Sequence, residues 1–233
     1  MPCLHTFLVG VLDVRRLCFF LSVYLCFVCV GCTRTANTDA RAGVVLIDPG
    51  HGGFDGGAVA ADGTAEKHIN LAIAVCLHDL LYVCGVPVQM TRNTDTGLEV
   101  DATASIRDKK VSDMRQRLLM YNEASLVLSI HQNHFSVPKY DGAQVFYSAN
   151  HTDSVILAEC IRESVVDWVQ PQNTRELKKA TDGIYLLHHT STPAVLVECG
   201  FLSNPEEREK LKTPAYQQQM AFAIMAGYWN FYK

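Results

Sequence analysis

Positive charge is scarce for a chain of this length: 20 Lys and Arg stand against 24 Asp and Glu, giving a formal net charge of -4 and a pI near 6.1. Without a basic patch or stripe to follow phosphates, a nucleic-acid partner is disfavoured. Of nine cysteines, Cys3, Cys18, Cys26, Cys29 and Cys32 sit near the N-terminus, leaving Cys76, Cys84, Cys160 and Cys199. Those four show no CxxC or CxxH spacing, so a cysteine zinc site is disfavoured and they read as core residues. Repeats and low-complexity tracts are missing too. With 233 residues, 48% hydrophobic and 19% charged, the composition suits one globular domain with a small appendage.

A long apolar run is also lacking. The run from Leu17 to Gly31 comes after Arg15 and Arg16 but falls short of the about 20 residues of a spanning helix. Basic residues ahead of such a stretch predict a secretory signal, hence export to the periplasm or cell envelope. The run closes on Val28-Cys29-Val30-Gly31-Cys32, which resembles the cleavage box of bacterial lipoproteins, with Cys29 where that box usually has Leu. A lipidated Cys32 would anchor the protein to the membrane; ordinary cleavage or a retained signal anchor are the alternatives. The expected organisation is a signal or anchor over 1–32, a small polar linker over 33–42 and one domain over 43–233.

From Gly43 onward, short Val/Ile/Leu runs alternate with helical patterns, which predicts an α/β fold: one mostly parallel twisted sheet of about six strands with helices on both faces. Expected strands are Val44–Asp48, Val86–Thr91, Leu126–His131, Ala143–Ser148, a weak one at Ile184–Leu187, and Ala194–Cys199. Helices are expected over Ala65–Cys84, Ser112–Asn122, Asp153–Val169, a short turn after Pro205, and Ala215–Phe231. The polar stretch Asp95–Lys110 reads as an exposed loop.

Ligands bind at the carboxyl ends of strands in such sheets, which directs attention to the residues at those ends. The first strand runs into Asp48-Pro49-Gly50-His51-Gly52-Gly53, the third ends in His131-Gln132-Asn133, and the last in Glu198-Cys199-Gly200. Imidazole and carboxylate suit zinc. Glu66, opening the first helix just past the glycine loop, adds a further ligand near that edge. Other readings stay open at this point. A histidine at a strand end is often a satisfied polar residue, and the glycine loop could cradle a phosphate, although it lacks the ending of a P-loop and departs from GxGxxG.

Val45-Leu46-Ile47-Asp48-Pro49-Gly50-His51-Gly52-Gly53, with Glu66 and Asn70 after it, resembles the opening of the cell-wall amidase family often called amidase type 3. Later blocks come in that family's order: Met90-Thr91-Arg92 with Asp95, Arg117 before Asn122, Ser129 to Asn133, Gly142 to Tyr147, and Pro193 to Asn204. Tyr185 to Thr190 and the loop between Arg92 and Arg117 look most like its spore-cortex branch. The resemblance implies an N-acetylmuramoyl-L-alanine amidase acting on peptidoglycan, with one Zn2+ held by His51, Glu66 and His131 and with Glu198 as catalytic residue. Gln132 departs from the family's usual small residue, and His134 lies two residues beyond it. Besides peptidoglycan, the resemblance allows a protein activator as partner. A binding module that grips the wall without cutting it is the competing reading, and the four intact residues argue against it.

Asp48 reads equally as a partner for a ligand histidine or as a strand-end turn residue. Arg92, Arg117 and Arg175 are candidates to contact substrate carboxylates, with a structural salt bridge preferred for each. His68, His78, His151, His188 and His189 read as ordinary surface or core histidines, and Tyr228, Trp229, Phe231 and Tyr232 as a cluster packed on the sheet.

Overall fold

Period-two alternation of apolar side chains builds the sheet, and each of its faces acquires a helical cover. The computed structural model describes residues 43–233, so the expected export signal and linker lie outside the described residues. Strands β1 (Val45–Pro49), β2 (Val88–Met90), β3 (Leu126–Asn133), β4 (Gln144–Tyr147), β5 (Lys178–Lys179) and β6 (Ala194–Phe201) form one sheet in the order β2-β1-β3-β6-β4-β5. All neighbours pair in parallel except β4 and β6, which are antiparallel. The expected α/β class and mostly parallel sheet are borne out.

The helices are α1 (Glu66–Val83), α2 (Ile106–Glu123), α3 (Asp153–Trp168), α4 (Tyr185–His189), α5 (Pro205–Leu211) and α6 (Pro214–Phe231). Val45, Ile47, Leu128, Ile130, Val195 and Val197 pack on one face against Ile73 and Leu77 of α1, Ile161 of α3 and Ile224 of α6. Leu46, Val127 and Leu196 point to the other face, beneath Tyr121 of α2 and Leu186 and Leu187 of α4. Each such aliphatic side chain contributes about 1.5–3 kcal/mol on burial. Among the described residues no helix is long and apolar enough to cross a membrane.

Several expectations are corrected. Ile184–Leu187 is not a strand: Tyr185 begins α4, and the edge strand is Lys178–Lys179. A four-residue apolar run has no readable period, and here Leu186 and Leu187 are buried from a helix. Helix α2 starts at Ile106, well before Ser112, because the Ser105 hydroxyl accepts from the Asp108 amide at 3.2 Å and donates to the Asp108 carboxylate at 2.7 Å. The polar loop from Asp95 is correspondingly shorter. Cys199 alone among the four domain cysteines is fully buried; Cys76 and Cys160 are partly so and Cys84 is exposed. Tyr228 and Phe231 pack on the core as expected, while Trp229 and Tyr232 are 38% and 48% exposed.

Candidate metal centre and catalytic cleft

The same alternation that turns Leu46, Val127 and Leu196 to the second face carries Asp48, Ser129, His131 and Glu198 there as well, at the carboxyl ends of the three central strands. His131 and Glu198 are direct neighbours across the β3–β6 pair. From the end of β1 the chain turns through Gly50 and His51, and His51 adopts φ 60°, a conformation in which a side chain is strained. Gly50 is required for room: a Cβ there would overlap the His131 imidazole. At Gly57, φ is 67° and a Cβ would strike both Glu66 and His51.

Two arginines hold this turn by its carbonyls. Arg92 donates from Nε to Pro49 O at 3.0 Å and from Nη2 to Gly50 O and Lys67 O, both at 2.9 Å. Arg117, 2% exposed, donates from Nη2 to His51 O at 2.8 Å and from Nη1 to Pro49 O at 3.2 Å. Its charge is balanced by Asp48 and by Asp113, the latter at 2.6 Å. Asp48 also accepts from Tyr121 at 2.5 Å, Thr91 at 2.7 Å and Ser129 at 3.1 Å. Burial alone would raise the Asp48 pKa, yet Arg117 and the Tyr121 and Thr91 hydroxyls bring it down to about 2.

Asp48 therefore makes no hydrogen bond to a histidine; it holds Arg117, which grips the backbone of His51. The salt bridge preferred for Arg117 is present. Arg92 works through carbonyls instead, and Arg175 forms no ion pair among the described residues.

Glu66, at the first position of α1, lies between the two imidazoles. Its Oε1 meets His131 Nδ1 at 2.9 Å and its Oε2 meets His51 Nε2 at 3.2 Å. Backbone amides add to both oxygens, Gln132 N to Oε1 at 3.1 Å and Ala58 N to Oε2 at 2.9 Å. Asn70, one turn along α1, donates to Oε1 at 3.1 Å and to Gly50 O at 3.2 Å. Gln132 fixes that amide by donating to Asn70 Oδ1 at 3.2 Å. The unusual glutamine thus points inward against Asn70 and is not a cleft wall. Burial would raise the Glu66 pKa, but the hydrogen bonds from His131 and His51 hold it far below the carboxylate range.

Asp55 is the functional neighbour that sequence reasoning missed: its Oδ2 meets His51 Nδ1 at 2.9 Å. Its signal was a carboxylate four residues after a candidate ligand. Burial depresses the His51 pKa, and Asp55 with Glu66 outweighs it, raising the value to about 9. One nitrogen from each of His51 and His131 and one Glu66 oxygen lie within 4.8 Å of one another. Metal-binding clusters among the described residues begin and end with this one, and His68, His78, His151, His188 and His189 stay outside it.

Glu198 sits beside the cluster, with its Oε2 buried and without a hydrogen-bond partner. Burial pushes its pKa up to about 7. A cleft of about 270 Å³ opens over it, lined by His51, His131, Arg117, Met114, Ile184 and Tyr185. The arrangement joins a cation-seeking cluster to a carboxylate poised to exchange protons.

Residues 45–229 match the family described as N-acetylmuramoyl-L-alanine amidase. The chain belongs to that family. The amidase is 38% identical over 186 residues to the germination-specific N-acetylmuramoyl-L-alanine amidase of Bacillus subtilis (strain 168), covering 79% of this chain and 77% of that one. Against N-acetylmuramoyl-L-alanine amidase AmiA of Escherichia coli (strain K12) it is 30% identical, with 79% and 74% covered. Among solved structures it is similar to the CwlD amidase from Clostridioides difficile, determined in complex with the GerS lipoprotein, with TM-score 0.78, 39% identity, and coverage of 82% of this chain and 98% of that one. The resemblance to the spore-cortex branch is thereby met, and the amidase is a hydrolase.

Proposed function

We propose that the amidase uses one zinc ion per chain to hydrolyse the amide between the lactyl group of N-acetylmuramic acid and the L-alanine of the peptidoglycan stem peptide. The carrying observation is the convergence of His51, Glu66 and His131 within 4.8 Å beside an unpartnered, buried Glu198 oxygen. Two imidazoles and one carboxylate are the donor set of a catalytic zinc site that keeps a position open. The residue fit is good, since Glu66 is fixed by two amides and Asn70, and His51 by Asp55. When bound, zinc supplies Lewis acidity toward the lactyl carbonyl and lowers the pKa of a water.

Glu198 does the proton work. As carboxylate it accepts a proton from the attacking water at Oε2, and it then delivers that proton to the departing L-alanine nitrogen. A pKa raised to about 7 suits both halves of that exchange.

The N-terminal segment supports export to the periplasm or cell envelope, with Cys32 as a site of lipid anchoring. The germination-specific relative supports a role in wall remodelling, and the solved amidase–lipoprotein complex supports a protein partner for this chain too.

The test is zinc content together with mass spectrometry of purified peptidoglycan treated with wild type or Glu198→Gln. Stoichiometric zinc in both, peptides with a free L-alanine amine from wild type, and turnover reduced by about 10²–10⁴-fold in the variant are expected. Zinc-free wild-type protein that still cuts would refute the metal assignment.

A further inference from the structure

The cleft over Glu198 is lined by side chains of two chemistries. His51, His131, Glu198 and Arg117 belong to the metal cluster, the proton-carrying carboxylate and their support, whereas Met114, Ile184 and Tyr185 line the same cleft and belong to none of these. Of the two tyrosines there, Tyr121 is fully buried and donates to Asp48, while Tyr185 is 36% exposed. Leu186 and Leu187 anchor α4 in the core beneath the sheet face, and the residue before them is thereby set at the cleft. The Tyr185 ring is braced edge-to-face by His189, one turn along the helix, with centroids 4.4 Å apart. A tyrosine held in this way is a stiff apolar surface that loses little conformational freedom when a ligand packs on it.

The scissile amide has unlike neighbours on its two sides. On the acyl side, the carbonyl carbon is joined to the muramic acid ring through only the lactyl carbon and an ether oxygen, so a carbonyl reacting beside Glu198 brings a sugar ring to this cleft. On the amine side the chain continues as peptide, whose amides each call for a hydrogen-bond partner. Met114, Ile184 and Tyr185 side chains bring one hydroxyl between them, too little for a peptide backbone. A pyranose ring, with an apolar face of C–H groups and a polar rim, matches a tyrosine that presents an apolar body and a polar tip.

We propose that Tyr185 is a specificity-determining residue whose ring packs against the N-acetylmuramic acid ring of the substrate. This rests on the amidase reading and names a contact within the same cleft. Tyr185 makes a sugar-bearing stem peptide a better ligand than the same peptide carrying the lactyl group alone, and it does so through the ring rather than the hydroxyl.

Binding is measured by calorimetry with two soluble ligands of identical stem peptide, one carrying the disaccharide and one carrying only the lactyl group. Each is titrated into Glu198→Gln protein, so that affinity is read without turnover, and into the same protein with Tyr185 replaced. The disaccharide ligand should bind about tenfold more tightly than the lactyl ligand. Tyr185→Ala should erase most of that preference while leaving lactyl-peptide affinity unchanged, and Tyr185→Phe should keep it. Tyr185→Leu, which retains apolar bulk at the start of α4 but no flat ring, should behave like alanine and serves if the alanine variant folds poorly. Equal affinities in the parent, a preference that survives both Tyr185→Ala and Tyr185→Leu, or variants that weaken both ligands alike would overturn the proposal. Release of peptide from peptidoglycan by the wild type is scored separately. Sugar-dependent binding without cutting would sink the amidase reading and leave the Tyr185 contact standing; cutting with sugar-independent binding would do the reverse.

Discussion

Arg117 Nη2 donates to the carbonyl oxygen of His51 across 2.8 Å, so a side chain from the middle of α2 fixes the backbone of a candidate metal ligand. His51 holds φ 60° in that grip. The buried charge that makes the grip possible is balanced by Asp48, and the fold and the site therefore share one network.

Replacing Arg117 with Met should lower stability by about 3–5 kcal/mol, because Asp48 is left charged and buried without its partner. Zinc affinity should fall with it. Urea unfolding and chelator competition report the two effects. Arg117→Met together with Asp48→Asn should recover much of the stability but not the affinity, since no donor then reaches His51 O. Full recovery of zinc binding in the double variant would show that Arg117 acts on the fold alone.

Acid should expose Asp48. Its folded pKa of about 2 lies below the ordinary 3.8, so the unfolded chain takes up the proton first as pH falls. The stabilisation is complete above about pH 4 and is lost toward about pH 2, a contribution on the order of 2 kcal/mol. Unfolding free energies of wild type and Asp48→Asn, measured through that window, should converge as the acid limit is approached. Parallel curves would contradict the assignment.

Gly50→Ala tests crowding at the cluster. The new Cβ would overlap the His131 ring, at a cost of about 1–3 kcal/mol, and His131 has to turn away. Zinc binding should weaken far more than the melting temperature drops. An alanine variant with wild-type zinc affinity would mean that the cluster is more plastic than its contacts indicate.

Asp55→Asn and Gln132→Ala remove the supports of His51 and Asn70, respectively. Each should weaken zinc by about 10–100-fold while leaving all three ligands in the sequence. Equilibrium competition with a fluorescent chelator measures this without turnover. For Gln132 the discriminating comparison is Gln132→Met: it fills the space but cannot donate to Asn70 Oδ1, so it should behave like alanine.

Much of this was legible in the sequence because it is local. Strand alternation, the start of α1 near Glu66 and the polar ends of β1, β3 and β6 are set by spacing alone. The capping signal Ser105-x-x-Asp108 was also there to be read, and it sets the true start of α2. What spacing does not encode is pairing at a distance. Arg117 meets Asp48 and His51 only after α2 folds over the sheet, and Gln132 shows its purpose only when Asn70 comes up beneath it. Asp55 lay within the glycine loop, but four residues of irregular backbone give no period from which to infer its contact with His51.

Gly50 and Gly57 mark positions where the site was made by leaving atoms out. At those two positions there is no volume into which a side chain can grow, so that stretch of the candidate metal site tolerates almost no exploration by mutation. By contrast, Asp141, Gly142 and residues 172–175 border a cavity of about 480 Å³. Sequence change can accumulate there while the crowded cluster stays fixed, which separates the part of the protein free to drift from the part that is not.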